Sequence, residues 1–188
     1  LGTGTSQGVP VIACKCDVCQ SPDPKDKRLR SSILVQANDV SVVVDTGPDF
    51  RMQMLGNDVT HLDAIVYTHE HKDHVAGLDD VRAFNFLQEK SMPVYGLPRV
   101  LNQLRLEYAY AFAEHKYPGV PKIELHEMHP GDTLQLGNLR VEAIPVAGEH
   151  HFATRQRTGA EVVNARSPHI LGHDARVGCE FLLRKLGK

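Results

Sequence analysis

Apolar and polar residues alternate along most of this chain with a period that switches between two and about three and a half, so strands and helices can be placed before any chemistry is considered. Residues 28–36 and 40–45 carry β-branched side chains on one side and flank the turn Ala37-Asn38-Asp39, a pattern that predicts a β-hairpin. The apolar run at 62–67 predicts a buried strand, and the apolar spacing at 81–87 a helix. Val100, Leu101, Leu104, Leu106, Tyr108 and Phe112 predict one helix over 98–113, with Pro98 suited to its first turn. A short helix is expected over 49–55. Residues 122–127, 133–136 and 139–146 alternate like strands and are expected to build a second sheet, with Gly137-Asn138 as a two-residue hairpin turn. After a stretch of little periodicity at 152–176, which reads as a loop inserted over a cleft, residues 177–183 predict a further strand.

Composition sharpens this picture. At 188 residues with 41% hydrophobic residues, the chain suits one domain with a real core and is too short for two typical ones. A net charge of −2 gives no basic footprint, so nucleic-acid binding through bulk charge is unsupported. No run approaches the ~18 apolar residues of a membrane span, and no basic-then-apolar leader opens the chain, which favours a cytoplasmic protein. The glycine-rich opening, Leu1-Gly2-Thr3-Gly4, has no strand before it and reads as a clipped start. It lacks the lysine and the helix that a phosphate-binding P-loop needs.

The chemistry concentrates between the strand at 62–67 and the helix at 81–87. His69, His71, Asp73 and His74 place three imidazoles and a carboxylate in six residues on a strand-to-helix loop. From an extended segment His69 and His71 can converge on one ion, while Asp73 and His74 lie where the chain turns and can face a second. The competing reading, a histidine-rich surface loop, does not account for four ligand-type residues bounded by strand and helix signals. Most of the other histidines among the eleven are read as surface residues. Cys14, Cys16 and Cys19 form a second cluster in a turn-rich loop, where three thiolates and one further ligand would make a tetrahedral zinc site. Cys179 is the only other cysteine, which argues against disulfides and leaves three exposed reduced thiols as the alternative. Tyr108, Tyr110 and Phe112 are read as packing residues rather than a cleft lining.

The segment His69-x-His71-x-Asp73-His74 resembles the H-x-H-x-D-H signature of the metallo-β-lactamase superfamily. The resemblance implies an αββα sandwich, here apparently truncated at both ends. It also implies two divalent metal ions, zinc by preference, with manganese or iron able to take the same ligands. The first two histidines and a later one would hold one ion, and Asp73 with His74 the other. That later histidine falls after the strand at 139–146, where the sequence reads Val146-Ala147-Gly148-Glu149-His150-His151. Gapless register puts Ala147 there, and His150 is preferred, with His151 second. The superfamily's bridging aspartate and final histidine have no counterpart after Leu183, so this stretch of chain is expected to hold the second ion weakly and to be nearly inactive alone.

Gly8-Val9-Pro10 with Cys14, Cys16 and Cys19 is similar to the branch containing the phosphodiesterase of the carbon–phosphorus lyase pathway, in which three such cysteines and a distal histidine hold a structural zinc. No histidine here is matched to that fourth position. Asp45-Thr46-Gly47 resembles a segment that places its aspartate under the metals. Asp45 would then accept the free N–H of a ligand imidazole, or else cap the helix at 49–55 or close the turn.

These resemblances imply a metal-dependent phosphodiesterase, acting on a cyclic ribosyl phosphate or a small nucleotide diester through a metal-bound hydroxide, with Asp73 both a ligand of the metal and the group that orients the hydroxide. Alternatives are a thioester or lactone hydrolase with the same metals, or a metal-binding module without turnover. Arg155, Arg157 and Arg166 could clamp a phosphate or remain solvated. The expected partner is a small-molecule diester, with a homodimer suggested by the edge at 177–183.

Overall fold

The structure, a computed structural model, describes residues 1–146 and 178–185, with 145, 146 and 178–185 described by their backbone path. His150, His151, the arginines at 155, 157 and 166, and the loop expected at 152–176 lie outside the described residues.

The hairpin forms as β1 (Ile33–Ala37) and β2 (Val40–Val44), paired antiparallel from Ile33↔Val44 to Ala37↔Val40. Asn38 takes φ 53°, a left-handed conformation that asparagine tolerates. Before β1, Arg28, Arg30 and Ser32 make isolated bridges to Val9, Gly4 and Gly2, so the amino-terminal segment runs beside them. From β2 the sheet continues in parallel through β3 (Ala64–Val66), β4 (Met92–Gly96) and β5 (Ile123–Glu127), in the order β1-β2-β3-β4-β5. A second, antiparallel sheet holds β6 (Thr133–Leu136), β7 (Leu139–Val146) and β8 (Gly178–Lys185) in that order. The Gly137-Asn138 turn joins β6 to β7 as the alternation required.

Two sequence expectations are corrected. β5 belongs to the first sheet, not the second, because the helical crossover from β4 returns it parallel to β4, where Val94 pairs with Leu125. The helix expected over 98–113 is two helices, α5 (Pro98–Glu107) and α6 (Ala109–Phe112), after α1 (Asp17–Gln20), α2 (Phe50–Gly56), α3 (Lys72–Val75) and α4 (Arg82–Gln88). The break falls at Tyr108, whose backbone leaves helical geometry at φ −110° while its hydroxyl donates to the Val75 carbonyl at 2.8 Å.

Burial on both faces at the centre of the first sheet explains the nearly continuous apolar runs of β2 and β3. Val43, Ile65 and Val94 face one way and pack with Phe50, Phe84, Leu101 and Leu104 from the helices. Val42, Val44, Ala64 and Val66 face the other way and pack with Leu139 and Val141 of β7. The layers among the described residues are therefore helices, five-stranded sheet and three-stranded sheet. All parallel strands end on the same edge, and the residues that follow β2 and β3 meet there.

Candidate metal centre

The ligand loop is positioned by close backbone packing. β2 ends at Asp45-Thr46-Gly47 and β3 runs on into Tyr67-Thr68-His69. The Gly77 amide donates to the Thr46 carbonyl at 2.8 Å, which draws the chain after α3 onto the end of β2. A methyl group on Gly77 would overlap the Gly47 carbonyl oxygen, and one on Gly47 would overlap that of Asp73. Neither position has room for a side chain. Beneath this contact Tyr67 and Thr46, both fully buried, hydrogen-bond through their hydroxyls.

Asp45 sits at the centre. It is 5% exposed and takes φ 62°, a strained backbone for a residue other than glycine, and that conformation turns its carboxylate toward the loop. Oδ1 accepts from the Thr68 amide at 2.9 Å. Oδ2 accepts from the Thr68 hydroxyl and from His74 Nδ1, each at 2.7 Å. Thr68 Oγ1 also lies 2.9 Å from His69 Nδ1. Because that hydroxyl spends its proton on Asp45, it must accept from His69 Nδ1, so His69 carries its hydrogen on Nδ1 and leaves Nε2 free. One carboxylate thus sets the orientation of two imidazoles, His74 directly and His69 through Thr68. Of the partners the sequence allows Asp45, it is the His74 imidazole that the carboxylate meets, and α2 has no side-chain cap. Thr68 was not anticipated; its only sequence signal was its place immediately before His69.

The predicted ligands gather on one side of this relay. The His69 ring centroid is 4.7 Å from that of His71 and 3.9 Å from that of His74. His74 Nε2 is 3.3 Å from Asp73 Oδ2. His71 is solvent-exposed at the start of α3. Burial, followed by the positive charge of His74, holds the His69 imidazole down at about 4, neutral and ready to donate a lone pair. For His74, burial opposes charge, but the Asp45 and Asp73 carboxylates outweigh it and hold the imidazole up at about 10. Burial likewise opposes the charge on Asp73, yet the hydrogen bond and charge of His74 leave its carboxyl below the usual range. Without metal, a proton on His74 Nε2 stands between imidazole and carboxylate, and a cation arriving there must displace it. The chemistry of this donor set fits a divalent transition metal: a neutral imidazole at His69, an ionised carboxylate at Asp73, and Nδ1–H groups already engaged behind His69 and His74.

Cys14, Cys16 and Cys19 form a separate cluster, their sulfurs all within 4.8 Å of one another. Cys14 and Cys16 sulfurs are 3.4 Å apart, and the Val11 amide donates to Cys19 Sγ at 3.3 Å. The Cys19 backbone N–H, aimed at Cys16, pulls that thiol's pKa down. Among the described residues no fourth ligand-type side chain joins the three.

A family model described as the beta-lactamase superfamily domain matches residues 41–166. The chain belongs to this superfamily, on its metallo-β-lactamase side. A crystal structure described as a new diphosphatase from the PhnP family is 40% identical, with a TM-score of 0.69 over 79% of this chain and 55% of that one. The fold alone is shared with Zn2+-bound PqqB from Methylobacterium extorquens, 23% identical with a TM-score of 0.64 over 78% of this chain and 51% of that one. Among curated proteins, an octanoyltransferase of Porphyromonas gingivalis is 42% identical over 147 residues, 78% of this chain but 30% of that protein. Ribonuclease Z of Methanopyrus kandleri is 29% identical over 121 residues, 63% of this chain and 40% of the enzyme. This metallo-β-lactamase-type chain therefore spans from under a third to about half the length of such relatives. The superfamily is composed mainly of metal-dependent hydrolases, and among the described residues no helix is long and apolar enough to cross a membrane.

Proposed function

We propose that the chain forms the metal-binding part of a hydrolase that cleaves a phosphodiester or phosphoric anhydride bond in a small molecule, such as a cyclic ribosyl phosphate or a nucleotide diester. The observation that carries the metal-dependent reading is the single carboxylate, Asp45, that orients both His69 and His74. Surface histidines have no need of such an arrangement. In this reading His69, His71, Asp73 and His74 hold two divalent ions, with His150, outside the described residues, as a further ligand. Zinc suits the mixed imidazole and carboxylate set, and manganese or iron could take the same ligands. Such ions, once bound, supply Lewis acidity toward phosphoryl oxygens and an acidified water. The chain's own residues keep His69 neutral, hold His74 by Nδ1 so that Nε2 can release its proton, and keep Asp73 ionised as ligand and orienting base. Cys14, Cys16 and Cys19 hold a structural zinc apart from the chemistry, closed by thiolates that leave no open position. Their reduced state suits a cytoplasmic protein.

The phosphoryl substrate class is supported by the 40% identity to a PhnP-family diphosphatase and by the likeness to ribonuclease Z. A second reading, hydrolysis of an acyl thioester, is favoured by the 42% identity to part of an octanoyltransferase. One panel separates them. The full-length protein, loaded with zinc or manganese, is offered bis-p-nitrophenyl phosphate, a cyclic ribosyl phosphate, a nucleoside diphosphate and an octanoyl thioester. Turnover of the phosphoryl compounds with the thioester spared is expected, and the reverse preference would replace the first reading by the second.

A further inference from the structure

The ligands of the central loop are interleaved with two charged residues, Glu70 and Lys72, that no metal requires. Glu70 stands between His69 and His71 with its side chain only 23% exposed, and Lys72 follows at the first position of α3. Both meet the same helix. Arg99 Nε, in the first turn of α5, is 3.5 Å from Glu70 Oε2, and Lys72 Nζ is 2.6 Å from Oε2 of Glu107, the last residue of α5. Glu107 is only 11% exposed, and its other oxygen accepts from Gln103 Nε2 at 2.7 Å. The next residue, Tyr108, donates from its buried hydroxyl to the carbonyl of Val75, the last residue of α3. Arg99 and Glu107 are about 12 Å apart along the helix, at 1.5 Å per residue. A single rigid rod therefore grips the ligand loop at two places.

We propose that α5 is a splint for the two halves of the metal centre, with Glu70–Arg99 positioning the His69/His71 half and Lys72–Glu107 together with Tyr108–Val75 positioning the Asp73/His74 half. The proposal rests on the two-metal reading of the loop given above. The charges run in opposite order, acid on the loop against base at the start of α5 and base on the loop against acid at its end, so the loop fits the helix in one register only. An exposed lysine alone would contribute little. Here its partner is a mostly buried carboxylate that would otherwise keep only Gln103, and the adjacent tyrosine hydroxyl is buried. The Arg99–Glu70 contact is longer, a Coulombic pair rather than a formed hydrogen bond. Lys72–Glu107 is likewise an ion pair without a formed hydrogen bond at Oε2, so it is the Tyr108 hydroxyl bond to Val75 that makes the grip on the Asp73/His74 half the firmer one. These are positioning residues, none of which touches an ion.

The test is a Co2+ titration of the full-length protein against a competing chelator, in which thiolate charge-transfer bands mark the cysteine cluster and the weaker visible bands report the imidazole and carboxylate positions in turn. Lys72→Gln and Tyr108→Phe should each weaken one of the two loop binding steps about tenfold to a hundredfold, as loss of an outer partner typically does, and leave the other within about twofold. Arg99→Gln should weaken the other step instead. Exchanging the charges in the pair Lys72→Glu with Glu107→Lys should recover most of what Lys72→Gln loses. Equal weakening of both steps, altered thermal stability with both affinities unchanged, or no recovery in the exchanged pair would overturn the splint. If the unaltered protein binds no cobalt outside the cysteine cluster, the two-metal reading and the splint fall together. Two bound ions with undiscriminating variants would remove the splint alone.

Discussion

His74 Nδ1 and Asp45 Oδ2 lie 2.7 Å apart, and the same oxygen receives the Thr68 hydroxyl that in turn holds His69. Two imidazoles separated by four residues of loop are thus governed by one side chain at the end of a different strand. Replacing Asp45 by Asn would put an amide where a carboxylate now accepts three hydrogen bonds. Metal affinity of the full-length protein should fall by about tenfold to a hundredfold, measured by chelator competition. An unchanged affinity would show that the relay does not serve the metal.

Thr68→Val keeps the shape of the side chain and the backbone N–H bond to Asp45 but removes the hydroxyl bridge to His69. His74 keeps its direct bond to Asp45, so the two loop binding steps should respond unequally, while Thr68→Ser should behave nearly as the parent. Equal loss at both steps in Thr68→Val would place the hydroxyl outside the relay.

Without metal, the two imidazoles give stability opposite slopes in pH. His74 is raised from 6.5 to about 10, so its stabilisation is complete below 6.5 and is lost as pH rises through about 10. His69 is lowered from 6.5 to about 4, so the unfolded chain binds a proton that the folded one refuses, and stability declines as pH falls from 6.5 toward 4. Urea midpoints of the metal-free protein should therefore be highest near neutrality, with the alkaline decline flattened in Asp45→Asn. An alkaline decline of the same size in that variant would remove His74 as its source.

Gly77→Ala should destabilise the fold by about 3 kcal/mol through overpacking against the Gly47 carbonyl, visible as a lowered denaturation midpoint. Because the strain falls where α3 meets the end of β2, weaker metal binding at the loop should accompany it.

Cys14→Ser combined with Cys16→Ser should cost one equivalent of zinc by elemental analysis and leave diester turnover within a few-fold of the parent, since the thiol cluster is separate from the histidine loop. Loss of turnover with the fold intact by circular dichroism would join the two sites in one function.

Much of the architecture could be read from period alone. The hairpin at Gly137-Asn138, the buried strand before His69 and the strand-to-helix placement of the ligands all follow from local patterns that burial then enforces. The sheet to which β5 belongs could not be read that way, because alternation reports two faces and not the identity of the neighbour. A signal was nevertheless present: a helix between β4 and β5 favours a parallel return to the same sheet. The helix break at Tyr108 is not legible because α6 resumes a nearly helical spacing, which hides it in sequence. The pairs Glu70–Arg99 and Lys72–Glu107 join residues far apart in the chain, and only the fold brings them together. The orienting role of Asp45 was one of two legible options, and it is the hydrogen bond to His74 that distinguishes them.

The tight approach of Gly47 to the loop carrying Asp73 and Gly77 bears on whether this centre can be moved. The six residues from His69 to His74 contain the visible ligands, but what fixes their geometry is drawn from the ends of β2 and β3, from two positions without side chains and from a helix some thirty residues later. A peptide copied from the loop, or the same six residues grafted onto an unrelated turn, would carry donors in the correct order and bind metal as a flexible chelator does. The transplantable unit is the two strand ends, the loop and α5 taken together, and an engineer who wished to relocate the site would have to carry the whole corner of the sheet.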